Sequence, residues 1–94
     1  MLFMFHVLTT TYLKPLDVVD QTRPAHVAWL KEEVAAGRIL LAGRLETATG
    51  AVLITGDLSD EEVEDVIARD PYTLAGLIRC ERLSFNGSVR APGL

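Results

Sequence analysis

Cysteine is almost absent from this sequence, since Cys80 is the only one among 94 residues. A single cysteine excludes an intrachain disulfide and a zinc cluster built on several thiolates, and it fits a reducing compartment. We expect Cys80 to be a small buried hydrophobic residue rather than a nucleophile.

Clustered positive charge and long apolar runs are also missing. The 9 Lys and Arg residues are scattered and the formal net charge is -4, whereas a nucleic-acid surface needs grouped Lys and Arg against the phosphates. The apolar start over 1–5 is too short for a membrane span, has no basic segment and is interrupted by His6. We therefore expect a cytoplasmic protein that binds neither nucleic acid nor a membrane.

Cofactor motifs are missing as well. Neither histidine has a metal-ligating residue at a helical or strand spacing, and Trp29 stands at i+3 from His26. Gly43, Gly50 and Gly56 are scattered and open no helix, so there is no phosphate-binding loop. We expect chemistry that needs no cofactor, and no metal site.

The residues that are present favour one ordinary globular domain over 1–94, because 49% of them are hydrophobic and 23% are charged. Local patterns predict strand, helix, strand, strand, helix and strand, followed by a polar tail over 86–94. The predicted strands cover 2–9, 38–43, 51–57 and 77–85. The first predicted helix ends near residue 36, and the second begins at residue 59.

Alternation along the first strand separates two faces. One face carries Leu2, Met4, His6 and Leu8, and the other carries Phe3, Phe5 and Val7. Because the second set is entirely apolar, we expect it to lie beneath the helices. His6 would then point to the opposite face, toward a cavity or an interface.

The first helix has three alternative N-caps, Asp17, Asp20 and Thr22. We expect its regular part to start near Pro24, because a proline deeper in a helix clashes with the preceding turn. Gly37 predicts the C-terminal cap.

Two titratable residues occupy notable positions. His26 lies at the edge of the apolar face of the first helix, where it is partly enclosed. Ser59 and Glu62 form a capping box for the second helix, and Asp70 ends that helix where its dipole disfavours a carboxylate. A proton-transfer pair would explain both residues, although a simple turn residue before Pro71 is the alternative for Asp70.

The element order predicts an α+β, ferredoxin-like βαββαβ fold with a four-stranded antiparallel sheet and both helices on one face. The other face would be bare in a chain this apolar. We therefore expect a homodimer whose two sheets pair and enclose a cavity.

Three patterns occur in order along the chain: Arg23 and His26 as R-x-x-H; Gly37, Leu40, Ala42 and Gly43 as G-x-x-L-x-A-G; and Asp70-Pro71-Tyr72 with Ala75-Gly76 as D-P-Y-x-x-A-G. Together they make the sequence resemble the YCII-related (YciI-like) family of dimeric α+β barrel proteins over nearly its whole length. No single fragment is specific, but their order and spacing are.

The resemblance implies a ferredoxin-like dimer with an active site built on a histidine and an aspartate, which here are His26 and Asp70. Most members of the family have no assigned substrate. One branch looks like a dehydrochlorinase acting on a chlorinated hydroxyquinone, and related α+β barrels include lactone isomerases and polyketide-tailoring enzymes. Removal of a proton from an activated carbon is their common chemistry.

Four further residues are candidates for substrate binding, each with a structural alternative. Tyr72 could donate its hydroxyl to developing negative charge or simply cover the turn, and His6 could line the cavity or a dimer interface. Arg23 belongs to the R-x-x-H pattern, although Pro24 intrudes into it. Arg44, where the family often has proline, could bind an anionic or enolate oxygen, or could be a solvated arginine on a turn.

We therefore expect a cofactor-independent enzyme in which Asp70 fixes the tautomer of His26 and leaves the other ring nitrogen as the base. Elimination or isomerisation of a small activated cyclic or aromatic carbonyl compound is the natural reaction class, because both need one base and one oxyanion donor. The alternative is a non-catalytic module that binds small molecules in the same cavity, or one that serves dimerisation only.

Overall fold

The structure is a computed structural model, and it describes residues 4–94. Its elements are β1 Met4–Tyr12, α1 Leu16–Ala35, β2 Ile39–Arg44, β3 Gly50–Thr55, α2 Asp60–Arg69, α3 Pro71–Leu74 and β4 Ile78–Asn86. The strands form one antiparallel sheet in the order β2-β3-β1-β4. The predicted α+β, ferredoxin-like fold is confirmed, with the short helix α3 in addition.

The central strand β1 is longer than expected. It continues past Thr9 to Tyr12, so the prediction that this strand ends at residue 9 is wrong by three residues. The side-chain hydroxyl of Thr10 accepts a hydrogen bond from the Ala51 amide at 3.1 Å, and β4 pairs with β1 over this whole stretch. β-Branched threonines favour this extended backbone.

The face of β1 that lies beneath the helices is the opposite of the predicted one. Leu8 lies beneath the helices and packs with Trp29 and Val63 in the main core, whereas Val7 pairs with Leu83 on the bare face. The prediction that the entirely apolar set faces the helices is therefore wrong for the described residues; Leu2 and Phe3 lie outside them. Both faces carry enough apolar surface, so hydrophobicity along one strand could not decide between them.

α1 begins at Leu16, eight residues before Pro24, so the predicted helix start and the three predicted N-caps are wrong. Pro15 is the N-cap residue, and its carbonyl accepts hydrogen bonds from the amides of Val18 and Val19. Pro24 lies on the exposed side of the helix, where water can replace the missing backbone hydrogen bond. The C-terminal cap at Gly37, with a φ of 76°, is confirmed.

Glu33 joins the C-terminal ends of α1 and α2. Its carboxylate is 1% exposed and accepts hydrogen bonds from Arg38 and from Arg69, which also bonds Asp65. Burial alone would raise the pKa of Glu33, but the hydrogen bonds and charges of the two arginines hold that pKa below its ordinary value. Glu33 is therefore ionised at neutral pH and ties the two helices together.

We expect Glu33→Gln to lower the free energy of unfolding by about 2 kcal/mol at pH 7, measured by urea denaturation. The loss is smaller than for a fully buried pair, because Arg38 and Arg69 are about 40% exposed and can rehydrate. Glu32→Gln, on the exposed side of the same helix turn, is the matched control.

The same pair of variants tests the charge of Glu33. Its pKa is lower in the folded protein than in the unfolded chain, so its stabilisation is complete above a pH of about 4.5 and is lost as the pH falls through the folded-state value. The difference between wild type and Glu33→Gln should therefore shrink in acid. A difference that stays constant down to pH 3 would contradict this account.

Candidate active site

Asp70 lies at the junction of two helices. It ends α2 and is also the N-cap of α3, where its Oδ1 accepts a hydrogen bond from the Tyr72 amide at 2.9 Å. Pro71 occupies the first position of α3, where a missing N–H costs nothing. The helix α3 was not predicted from the sequence, and the unfavourable dipole expected at Asp70 is offset by this cap. The Asp-Pro pair was the available signal.

The other end of α3 is also capped. Gly76 has a φ of 68°, and the amide of Leu77 donates to the carbonyl of Tyr72 at 2.9 Å. The D-P-Y-x-x-A-G pattern is thus a single helical turn with a cap at each end. It presents the Tyr72 side chain to α1.

His26 and Asp70, 7% and 3% exposed, are in direct contact. Nδ1 of His26 lies 2.8 Å from Oδ1 of Asp70. A carboxylate oxygen accepts, so Nδ1 carries the hydrogen, and the neutral ring has its lone pair on Nε2. Within residues 4–94 this Nε2 has no hydrogen-bond partner, and it is not among the fully enclosed atoms.

Tyr72 holds the imidazole in place. Its ring stacks on His26 with centroids 3.8 Å apart and planes within 10°, and the Trp29 ring lies 5.8 Å from His26 on a tilted plane. Burial raises the pKa of Tyr72, and the neighbouring Tyr12 adds to that shift. The phenol therefore stays protonated at neutral pH and keeps its hydrogen-bond donor.

Arg44 belongs to a second polar group beside Tyr72. Its Nε donates to the Tyr12 hydroxyl at 3.0 Å and its Nη2 to Asp20 at 2.6 Å, and Tyr12 meets Tyr72 edge to face at 6.1 Å. The Arg44 side chain is only 21% exposed, so it is not a solvated arginine on a turn. Tyr12 thus links Arg44 to the ring stacked on His26, and sequence reasoning had missed both Tyr12 and Asp20.

Arg23 is not part of this cluster. It is exposed on α1, where it lines an open surface depression with Asp20, Pro24 and Val27. Within the described chain no hydrogen bond or ion pair joins it to His26 or Asp70.

His6 lies beneath the helices and is fully buried. Its Nε2 donates to the Leu58 carbonyl at 2.8 Å, and its Nδ1 accepts from the Ser84 hydroxyl at 2.7 Å. The expectation that His6 faces away from the helices and lines a cavity is wrong. Its two nitrogens are both occupied, which is what allows a histidine to be buried there.

Trp29 is a further residue that sequence reasoning did not assign to the site. Its i+3 spacing from His26 was the signal, because residues three apart share a helix face.

The pair of His26 and Asp70 lies on the helix-covered side of the sheet, where Asp70 is near Leu8 and Thr10. A dimer formed through the bare face would not enclose it between the two sheets.

The described part of the chain contains neither a metal-binding cluster nor a membrane-spanning helix. No group of three or more His, Cys, Asp or Glu side chains within 4–94 is arranged to hold a metal ion. No helix in the same range is long and apolar enough to cross a membrane.

The two histidines should be opposite tautomers when neutral. We expect ¹⁵N NMR to show the hydrogen on Nδ1 of His26 and on Nε2 of His6. Asp70→Ala should shift His26 toward the Nε2–H form, because the acceptor for Nδ1–H is gone, and should leave His6 unchanged as an internal control. A His26 signal that ignores residue 70 would show that the carboxylate does not set the tautomer.

Three comparisons show which known proteins this chain is similar to. A model of the YCII-related domain matches residues 1–83. The solved structure of 5-chloro-2-hydroxyhydroquinone dehydrochlorinase from Burkholderia phenoliruptrix, in complex with 2,5-dihydroxybenzoquinone, is similar with a TM-score of 0.70 and 26% identity over 88% of this chain and 91% of that one. A 12 kDa protein from Mycolicibacterium smegmatis is 88% identical over 24 residues, which are 26% of this chain and all of that sequence. Since the domain model covers most of the sequence, the chain belongs to the YCII-related family.

Proposed function

We propose that this protein is a cofactor-independent enzyme in which His26 removes a proton from an activated carbon of a small cyclic or aromatic carbonyl compound. One observation carries the proposal. The buried imidazole is bonded to a carboxylate through Nδ1 while Nε2 has no partner in the described chain. That arrangement leaves a basic nitrogen in a fixed position.

The proposed first step is proton transfer from the substrate carbon to Nε2 of His26. The electron pair of the broken C–H bond moves toward the adjacent carbonyl and forms an enolate. Asp70 stabilises the resulting imidazolium, since its Oδ1 already accepts the Nδ1–H. The protonated hydroxyl of Tyr72 and the guanidinium of Arg44 are the candidate donors to the enolate oxygen.

The second step decides between elimination and isomerisation. In an elimination, the enolate electrons expel a leaving group such as chloride from the neighbouring carbon, and His26 later returns its proton to solvent. In an isomerisation, His26 returns the proton to a different carbon. The neighbour's name as a dehydrochlorinase favours elimination, because loss of HCl needs a base that accepts the proton as chloride departs.

Two ring compounds test the proposal. The first measurement is deuterium incorporation at the ring carbons of 2,5-dihydroxybenzoquinone in D₂O by NMR, and the second is chloride release from 5-chloro-2-hydroxyhydroquinone. We expect the protein to accelerate at least one of these reactions. His26→Gln, which keeps a polar side chain of similar reach but has no basic nitrogen, should lower the rate by at least about 100-fold.

Glu32→Gln, remote from the pair on the exposed side of α1, is the control variant and should keep full activity. Circular dichroism would check that each variant is folded. Full activity in His26→Gln would reject this residue as the base. Saturable binding of both compounds with neither reaction accelerated would favour the non-catalytic binding module instead.

The proposal includes a homodimer formed through the bare face of the sheet. Leu83 is 67% exposed there, Leu41 58% and Phe85 45%, with Val7 and Ile54 half-buried between them. Burial of this apolar surface against a second copy would release ordered water and stabilise both chains. A self-complementary patch of this kind suits a two-fold dimer.

We expect light scattering to give a mass of twice 10.3 kDa for the wild type. Leu83→Lys should give the monomer mass, because it places a charge within the proposed interface. Leu74→Lys is the control, since Leu74 is 76% exposed on α3, away from the bare face. A monomeric wild type, or a dimer that survives Leu83→Lys, would reject this interface.

A further inference from the structure

A small cavity adjoins Asp70, and His26 is not among the residues that line it. Its volume is about 10 Å³, which is room for one water molecule. Trp29, Asp70 and Thr73 line it from the helices, and Thr10 and Cys80 line it from the sheet. The apolar side chains of Leu8, Leu53, Ile67 and Ile78 complete the lining, so polar groups share this space with apolar walls.

Two residues that line this cavity each carry a hydrogen-bonding group without a partner in the described part of the chain. The indole Nε1 of Trp29 and the hydroxyl Oγ1 of Thr73 are fully enclosed and unpaired within residues 4–94. Trp29 as a whole is only 8% exposed. Buried polar groups are almost always hydrogen-bonded, so two unpaired groups on residues that line one small space suggest a shared polar partner.

The carboxylate of Asp70 sets the chemistry of that partner. Its Oδ1 accepts from both His26 and the Tyr72 amide, whereas Oδ2 has no partner among the described residues. The thiol of the half-buried Cys80 lines the same cavity, and burial together with the negative charge of Asp70 raises the pKa of that thiol. The occupant must therefore donate to a carboxylate.

The same occupant must also accept a hydrogen bond from the indole N–H of Trp29, which can only donate. An ammonium group has no acceptor, and an anion would be repelled by Asp70. A water molecule has two donors and two acceptor sites and matches the volume. Water is thus the small ligand that satisfies all three groups together.

The geometry points to one bound water in this cavity, which accepts from Trp29, donates to Oδ2 of Asp70 and bonds the Thr73 hydroxyl. Trp29 and Thr73 are then positioning residues, because they fix the carboxylate through the water and so fix the tautomer and orientation of His26. This positioning role rests on the proposed function, whereas the water site does not.

The experiment is NMR on the full chain without substrate. Trp29 is the only tryptophan, so its indole N–H gives one unambiguous signal. We expect a nuclear Overhauser cross-peak between this proton and a long-lived water, with the sign of a tightly bound molecule rather than of chemical exchange. Absence of that cross-peak in the wild type would overturn the water site.

Two threonine variants identify the partners of the water. Thr73→Val keeps the side-chain shape and removes the hydroxyl, so it should abolish the cross-peak, move the indole ¹⁵N shift and raise the Nε2–H fraction of His26. Thr47→Val, in the exposed turn between β2 and β3, is the control and should change none of these signals. A cross-peak that survives Thr73→Val would reject Thr73 as a partner.

The readouts also separate this inference from the proposed function. Loss of the water with an unchanged His26 tautomer would reject the positioning role while leaving the water site in place. An intact water and tautomer in a protein that accelerates neither ring reaction would contradict the proposed function only.

Discussion

The site depends on one carboxylate oxygen that accepts two hydrogen bonds. Oδ1 of Asp70 caps α3 through the Tyr72 amide and also receives Nδ1–H from His26 on α1. The cap fixes the carboxylate, the carboxylate fixes the imidazole, and Tyr72, the second residue of the capped turn, stacks on the imidazole it has helped to orient. A single acceptor thereby couples a local turn to the geometry of a potential base.

That coupling works only if α1 and the end of α2 keep their separation. Leu8 and Leu53 of the sheet form a core cluster with Trp29 of α1 and Val63 of α2. This packing fixes the distance of each helix from the sheet. Glu33 joins the same two helices at their C-terminal ends by its pairs with Arg38 and Arg69. Apolar packing sets the distance between the elements, and the buried charge fixes how their ends meet.

Two of the three sequence patterns have structural explanations at the ends of α1 and α3. Gly37 and Gly76 adopt positive φ at the ends of α1 and α3, where most side chains would be strained. Pro71 suits the first position of α3. Much of what marks the family in this chain is therefore the chemistry of caps and turns that bring His26 to Asp70, and the two paired side chains are a small part of it.

Several features followed from the sequence alone. The order of strands and helices, the Ser59 capping box and the Gly37 cap rest on local rules, because neighbouring residues decide them. The pairing of His26 with Asp70 also followed, although from the family resemblance and not from the spacing of the residues. The helix start was wrong, since local rules weigh against an internal Pro24 and cannot count the tertiary contacts that outweigh it.

Only the tertiary structure decided what depends on long-range contacts. Which face of β1 lies beneath the helices could not be read from a strand that is apolar on both sides, and this reversed the placement of His6. Arg44 was indistinguishable from a turn arginine until the fold brought Tyr12 and Asp20 to it. The sequence determined the local conformation through short-range sterics and hydrogen bonds, whereas burial and partners depend on residues far apart in the chain, which only the folded packing brings together.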